Sequence, residues 1–145
     1  MPILLRSDDL FASTAPVIAV PANCFGTPEG TIGRAVASRF PVAHSAYQAA
    51  ARGKRLAAGA VIAARDPKGP LLVFVPVRIS PTDRVVLDVV EDGIEALRAF
   101  CFTNRVDHLA LPLLGSGPGA LNPAAVRPRI EALLGELSMR VELHS

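Results

Sequence analysis

The chain has 145 residues, a length that suits one compact domain spanning 1–145. Half of the residues are hydrophobic and only 19% are charged, which excludes a disordered chain. The formal net charge of +2 and the absence of tryptophan argue against strong duplex DNA binding driven by charge, and against a stacking platform for single strands.

The sequence gives no reason to expect a membrane partner or a metal. The apolar runs fall short of the roughly 20 residues that a bilayer-spanning helix needs, and Arg6 interrupts the N-terminal apolar stretch before a signal-peptide core can form. Cys24 and Cys101 stand far apart without metal-ligand spacing. This usage of cysteine favours reduced thiols in a cytoplasm and argues against a structural zinc site.

Apolar runs alternate with helical patterns along the chain, which predicts a layered α/β domain. Ile3–Arg6 has the pattern of a short strand, and Ser7, Asp8 and Asp9 are candidate caps for the single turn through Leu10 and Phe11 that follows. The continuous apolar run Pro16–Val20 is typical of a strand covered on both faces. A loop rich in glycine and proline, over 21–30, comes directly after it.

The middle of the chain predicts two helices and a hairpin. Four-residue spacing of apolar residues indicates a helix over 30–39, and a second helical pattern covers 43–52. The apolar runs 60–65 and 71–77 flank Asp66–Gly69, whose composition is typical of a tight turn. These two runs are therefore expected to form an antiparallel hairpin.

The last third of the chain repeats the alternation of helix and strand. A cap at 82–83 is expected to begin a long helix whose apolar stripe runs over 86–101. A strand follows over 109–113, and Asn122 is the candidate cap of a final helix. A strand over 139–144 closes the domain.

Two glycine-rich loops, 21–30 and 115–119, each follow an apolar strand and lead into a helix. In open α/β sheets the ligand crevice lies outside the carboxyl ends of the strands. Backbone N–H groups of such loops bind anions, so two loops on one edge can hold both phosphates of a diphosphate. Neither loop matches a known glycine motif for nucleotides. Turns that simply need positive φ angles remain the alternative.

Motifs in both halves of the chain match, in the same order, those of one known family. The first half carries Asp8-Asp9-Leu10-Phe11, Val17–Val20, Pro21-Ala22-Asn23-Cys24-Phe25-Gly26, Arg39-Phe40-Pro41 and Tyr47. The second half carries Leu111–Leu121 and Val126-Arg127-Pro128. This pattern resembles the macrodomain family, and within it the branch that contains the DarG antitoxin macrodomain and the terminal ADP-ribose protein glycohydrolase. The resemblance implies a single three-layer α/β/α macrodomain with a central mixed sheet, which binds ADP-ribose.

The resemblance also implies which residues contact the ligand. Asp9, with Leu10 beside it, matches the acid that accepts a hydrogen bond from the adenine amino group. A carboxylate suits that role because it only accepts hydrogen bonds. Helix capping is the alternative role for Asp9. The loop around the distal ribose and diphosphate contributes Gly26, Thr27, Gly30, Thr31 and Ile32. The loop that closes over the phosphates from the other side contributes Leu114, Gly115, Ser116, Gly117, Pro118, Gly119 and Ala120.

Asn23 and Arg78 are the catalytic candidates that the resemblance implies. Asn23 matches the asparagine that positions the distal ribose, and shaping the turn is its alternative role. Arg78 stands where the branch carries a lysine, and a plain surface arginine is its alternative role. A lysine can attack the anomeric carbon or pass a proton, whereas an arginine can only stabilise negative charge or grip a phosphate. A water-based hydrolysis, oriented by Asn23 and stabilised by Arg78, is therefore expected in place of a lysine adduct.

Two more positions differ from the branch. Its glycine–lysine–glycine stretch is replaced by Glu29-Gly30-Thr31, and no carboxylate lies near Gly119, where some relatives carry a catalytic acid. His44, His108 and His144 are scattered and are expected at the surface or in packing.

The sequence therefore predicts a monomeric ADP-ribose-binding macrodomain without a cofactor, whose ligand is ADP-ribose or an ADP-ribosylated protein or nucleic acid. Three functions stay open. One is an ADP-ribosyl glycohydrolase acting on protein or nucleic acid. Another is a non-catalytic ADP-ribose reader or metabolite-binding module. The third is an enzyme that dephosphorylates ADP-ribose 1″-phosphate.

Overall fold

A computed structural model describes residues 3–117 and 119–145, which fold into a six-stranded sheet and four α-helices. The strands are β1 (Ile3–Arg6), β2 (Val17–Asn23), β3 (Ile62–Ala64), β4 (Leu71–Arg78), β5 (His108–Pro112) and β6 (Arg140–His144). The helices are α1 (Gly30–Arg39), α2 (Pro41–Arg52), α3 (Leu87–Thr103) and α4 (Pro123–Leu134), with a single 3₁₀ turn at Leu10–Ala12. This arrangement confirms the predicted α/β class.

The sheet is mixed, and its strand order is β1-β6-β5-β2-β4-β3. β3 is antiparallel to β4, as the hairpin prediction requires, and the other described pairings are parallel. Each parallel connection passes through a helix or a loop that crosses one face of the sheet. The carboxyl ends of β2, β4, β5 and β6 therefore meet at one edge.

Each face of the sheet is covered by its own pair of helices, because side chains of the central strands alternate between the two faces. On one face, Leu111 of β5 packs in a core with Leu97 of α3. On the other face, Ile18 of β2 and Phe74 of β4 pack in a second core with Tyr47 of α2. The result is the expected three-layer arrangement, with β2 and β4 buried on both sides.

Two predicted helix starts are wrong, and in each case a side chain explains the difference. α2 begins at Pro41, a residue that suits the first helical position because no N–H is needed there. The carboxylate of Asp66 accepts hydrogen bonds from the N–H groups of Val42 (3.2 Å) and Ala43 (2.8 Å), which caps the helix from a distance. α3 begins only at Leu87, since the carboxylate of the candidate cap Asp83 instead accepts a hydrogen bond from the N–H of Ser80 (3.0 Å).

The ladder between β2 and β5 is short and ends well before the carboxyl end of β2. The two strands pair only at Val17 with Leu109 and at Ile18 with Ala110, although β2 continues to Asn23. The chain leaves β2 towards α1 on one face and leaves β5 towards α4 on the other. Such a reversal of connection between neighbouring parallel strands is where open α/β sheets bind ligands.

No helix within the described ranges is both long enough and apolar enough to cross a membrane.

Candidate functional site

Three loops lie at the carboxyl edge of the sheet, where β2, β4 and β5 end. We call residues 24–29 the β2 loop and residues 113–122 the β5 loop; the third follows β4. The N–H of Cys24 donates to the carbonyl oxygen of Ile79 (2.8 Å), which fastens the start of the β2 loop to the end of β4. The predicted catalytic residues Asn23 and Arg78 end these two paired strands and are register partners. The structure therefore brings them together.

Asn23 is completely buried, and its amide organises the β2 loop. Its Oδ1 accepts hydrogen bonds from the N–H groups of Phe25 (3.0 Å) and Thr27 (3.3 Å), and its Nδ2 donates to the carbonyl oxygen of Thr27 (2.9 Å). The Tyr47 hydroxyl donates to the Asn23 carbonyl oxygen (2.8 Å) and accepts from the Asn23 N–H (3.0 Å). These contacts give Asn23 the turn-shaping role.

Glu29 connects the two catalytic candidates. Asn23 Nδ2 donates to Glu29 Oε2 (3.2 Å), while Nε and Nη2 of Arg78 both donate to Glu29 Oε1 (2.9 and 2.5 Å). The third guanidinium nitrogen, Nη1, donates to the carbonyl oxygen of Asp83 (3.0 Å). The side chains of Arg78 and Glu29 are 26% and 28% exposed, so this ion pair is only partly shielded from solvent. A carboxylate thus lies beside the reacting end of the predicted site.

Sequence reasoning did not include Glu29 among the site residues, although a signal was present. The branch has a lysine in this loop and another at the position of Arg78. This chain instead has a carboxylate in the loop and an arginine after β4, and an arginine is the residue best suited to hold a carboxylate through two donors. The two differences from the branch are therefore one structural feature, an ion pair between residues 49 positions apart.

Asp9, the predicted adenine contact, is exposed at the surface. Its Oδ1 accepts from the N–H of Phe11 (3.3 Å), which caps the 3₁₀ turn, and its Oδ2 lies 3.6 Å from Arg39 Nη1. The Asp9 side chain is nevertheless 63% exposed, whereas Leu10 beside it is buried in the core. The guanidinium of Arg39 also lies over the ring of Phe11 (5.2 Å). Asp9 therefore has the capping role and still presents acceptor oxygens to solvent.

A buried polar cluster fastens the segment that carries Asp9 to the sheet. Glu142 of β6 accepts a hydrogen bond from Ser13 Oγ (2.9 Å) and also contacts Nε2 of His108 and Nε2 of His144 (3.2 Å). Nδ1 of His144 lies 3.1 Å from the carbonyl oxygen of Asp8. Burial alone would raise the pKa of Glu142, but the hydrogen bonds from His108, Ser13 and His144 outweigh it and lower the pKa.

The first half of the β5 loop is fixed by packing. Leu114 is fully buried, and Gly115 has a φ of +77°. A Cβ at Gly115 would lie 2.6 Å from Cγ2 of Val90 on α3, so only glycine allows this close approach. The Oγ of Ser116 is buried and has no hydrogen-bond partner among the described residues. A buried hydroxyl of this kind is a candidate ligand contact.

The second half of the β5 loop is open. A Cβ at Gly117 or Gly119 would meet no atom within 4 Å. The N–H of Ala120 donates to the carbonyl oxygen of Gly117 (3.0 Å), and the N–H of Leu121 donates to that of Gly115 (3.0 Å). Pro118, another predicted ligand residue, lies outside the described residues. The open backbone gives a ligand access to this loop.

The remaining predicted ligand residues follow Asn23 in the β2 loop and α1. Gly26 is buried against α2 with a φ of +77°, whereas Thr27, Gly30 and Thr31 are exposed and Ile32 is half-buried. Glu29 is the N-cap residue of α1, but its side chain makes no cap hydrogen bond. Because the first N–H groups of a helix have no intrahelical partner, the start of α1 offers donors to an anion.

Cys24 is not suited to nucleophilic chemistry, although it adjoins Asn23. It is half-buried, and burial raises the pKa of its thiol. A thiol with a raised pKa stays protonated near neutral pH, and the thiolate is the reactive form. Within the described ranges, no group of three or more His, Cys, Asp or Glu side chains is arranged to hold a metal ion.

The chain is similar in structure to several solved macrodomains. The macrodomain of Thermus aquaticus DarG superposes with a TM-score of 0.93 at 22% identity, covering 99% of this chain and 98% of that chain. The macrodomain of Mycobacterium tuberculosis DarG gives 0.93 at 20% identity, covering 99% and 97%. Thermosipho africanus DarTG in complex with ADP-ribose gives 0.88 at 22% identity, covering 98% of this chain and 41% of that chain. No family model and no curated protein matches the sequence.

These likenesses extend over the whole chain and confirm that it has the three-layer macrodomain fold, with DarG macrodomains among its structural neighbours.

Proposed function

We propose that this macrodomain binds ADP-ribose in the crevice between β2 and β5, and that it hydrolyses the bond joining an ADP-ribosyl group to protein or nucleic acid. The observation that carries the proposal is the splayed carboxyl edge, where two glycine-rich loops flank the gap left beyond Ile18 and Ala110. The similarity to a DarTG structure that contains ADP-ribose supports the identity of the ligand.

The binding groups follow from the geometry of the loops. The start of α1 and the open backbone at Gly117 and Gly119 offer N–H donors to the two phosphates. The unpartnered Ser116 Oγ offers a further hydrogen bond. Asp9, whose carboxylate is largely exposed, accepts a hydrogen bond from the amino group of adenine.

The proposed hydrolysis breaks the bond between the anomeric carbon of the distal ribose and its acceptor. A water supplies the new hydroxyl, and the acceptor leaves with the bonding electron pair and finally receives the proton that the water loses. That water must give up a proton as it attacks, and the carboxylate of Glu29 is placed beside Asn23 to take it. Asn23 shapes the loop that positions the ribose, and Arg78 orients Glu29 through two donated hydrogen bonds. Arg78 in this scheme is a positioning residue.

A non-catalytic reader is the second candidate function, and one observation favours it. Each of the three guanidinium nitrogens of Arg78 already donates to a protein acceptor, and the Asn23 amide is fully engaged by the β2 loop. Neither group is then free to act on a substrate without rearrangement. A reader would bind ADP-ribosyl groups at the same crevice and leave them intact.

Two measurements test these proposals in turn. Calorimetric titration with ADP-ribose, using ATP and NAD as control ligands, is expected to show binding that is selective for ADP-ribose. Incubation with ADP-ribosylated protein and with ADP-ribosylated DNA is then expected to release free ADP-ribose, and Glu29→Gln is expected to abolish release while retaining binding. Absence of ADP-ribose binding contradicts the whole proposal. Binding without release from either substrate supports the reader.

A further inference from the structure

The charges at the distal end of the crevice form a neutral pair. Glu29 contributes the carboxylate and Arg78 contributes the guanidinium, and the two are joined through Nε (2.9 Å) and Nη2 (2.5 Å). The remaining nitrogen of Arg78 is bound to the carbonyl oxygen of Asp83. The site therefore holds an arginine each of whose three nitrogens already donates one hydrogen bond to a protein oxygen.

The carboxylate of Glu29 lies on the side of the pair that faces Asn23. Its Oε2 accepts from Asn23 Nδ2 (3.2 Å), and its Oε1 receives both donors of Arg78. In the proposed complex the distal ribose lies beside Asn23, so the substituent on its C1″ lies next to the Glu29 carboxylate. Like charges placed together in a partly buried site repel strongly, whereas a neutral or cationic group is tolerated or attracted.

We propose that the Glu29–Arg78 ion pair selects the substrate class of this site: ADP-ribosyl groups whose distal C1″ carries an uncharged or cationic acceptor, with exclusion of ADP-ribose 1″-phosphate. This inference rests on the proposed function, which places the distal ribose beside Asn23. It excludes dephosphorylation of the 1″-phosphate as the activity of this chain. Removing the carboxylate turns the same site into an anion site, because Nε and Nη2 of Arg78 are then free to hold a phosphate through two hydrogen bonds.

The test compares the affinities of ADP-ribose and ADP-ribose 1″-phosphate by calorimetry for the wild type and three variants. The wild type is expected to bind ADP-ribose at least about tenfold more tightly than the 1″-phosphate. Glu29→Gln is expected to raise the affinity for the 1″-phosphate by about tenfold or more, a change of about 1.4 kcal/mol or more, and to change that for ADP-ribose by less than about threefold. Arg78→Gln, which leaves the carboxylate unpaired, is expected to weaken binding of the 1″-phosphate further.

Glu136→Gln is the matched control, since it removes a carboxylate that pairs with Arg98 (2.9 Å) near the far end of α3. It is expected to leave both affinities unchanged, and melting temperatures confirm that each variant is folded. Equal affinities of the wild type for the two ligands would overturn the inference and leave the proposed ADP-ribose site standing. An unchanged preference in a folded Glu29→Gln would also overturn it. A wild type that binds neither ligand would overturn both.

Discussion

The two ends of the proposed site differ in how they are built. At one end, Asp9 is largely exposed, and the segment that carries it is fastened to the sheet by other residues, chiefly Ser13 and Glu142. At the other end, Asn23 is completely buried and is itself the residue that fastens the β2 loop. At the Asp9 end, the side chains that fasten the segment are different from the side chain that is expected to contact the ligand. At the Asn23 end, the predicted catalytic residue is itself the buried anchor of the loop.

This difference determines what a substitution can reveal. A change at Asp9 is expected to alter binding while the fold stays intact, so its effect can be assigned to the ligand. A change at Asn23 disturbs the loop as well, and a loss of activity there does not by itself identify a catalytic group. Glu29 is the better probe of chemistry at that end, because it lies beside Asn23 without organising the backbone of the β2 loop.

Asn23→Ala should have the largest effect on stability. It removes the acceptor of two loop N–H groups and one partner of the Tyr47 hydroxyl in a buried setting. At about 1–3 kcal/mol for each of the two N–H groups left unpaired, we expect the free energy of unfolding to fall by roughly 2–6 kcal/mol. Denaturant titration measures this change. Asn104→Ala, at an exposed helix end, is the control and should cost less than about 1 kcal/mol. Equal costs would mean that the two ends are built alike.

Asp9→Ala should separate affinity from stability. Loss of a hydrogen bond to a charged group costs about 1.5–3 kcal/mol, which weakens ADP-ribose binding by about 10- to 150-fold. The melting temperature should stay nearly unchanged because the Asp9 side chain is exposed and its ion pair with Arg39 is long, at 3.6 Å. The neighbouring variant Asp8→Ala removes the same charge and should leave affinity within about threefold. A similar loss of affinity in both variants would refute the adenine contact.

Acid should weaken the anchor of the Asp9 end. The pKa of Glu142 is lowered from its ordinary value of 4.5, so its contribution to stability is complete above that pH and is lost as the pH falls through the folded-state pKa. We expect the free energy of unfolding to decline below about pH 4.5 more steeply in the wild type than in Glu142→Gln. Denaturant titrations at successive pH values measure the slopes. Parallel slopes, as expected for the exposed control Glu136→Gln, would show that Glu142 is not the responsible group.

Much of the fold follows from local sequence. β1 and α1 have the predicted limits, since an apolar run bounded by charges and a helix followed by proline are local signals. The predicted start of α3 is wrong because the Asp83 carboxylate binds the N–H of Ser80 instead of capping the helix, and composition does not reveal this partner. Local patterns also do not show that β2 and β5 part beyond Ile18, since pairing depends on the whole sheet.

The candidate site was only partly predictable, for a similar reason. The glycine-rich loops and Asp9 are visible in the sequence, and their grouping around one ligand stays a prediction. Glu29 was missed because its role depends on Arg78, which is 49 positions away and becomes its neighbour only when β2 and β4 pair. Asn23 was identified, but its burial and the number of its loop contacts are properties of the folded β2 loop.

The brief ladder between β2 and β5 has a mechanical consequence. Because only two residue pairs join these strands, few backbone hydrogen bonds connect β5, β6 and β1 to the rest of the sheet. A dinucleotide-sized molecule bound across the boundary between β2 and β5 would contact both parts of the sheet and stabilise their association. Saturation with ligand would therefore slow amide hydrogen exchange on both sides of this boundary, at β5 as well as at β2.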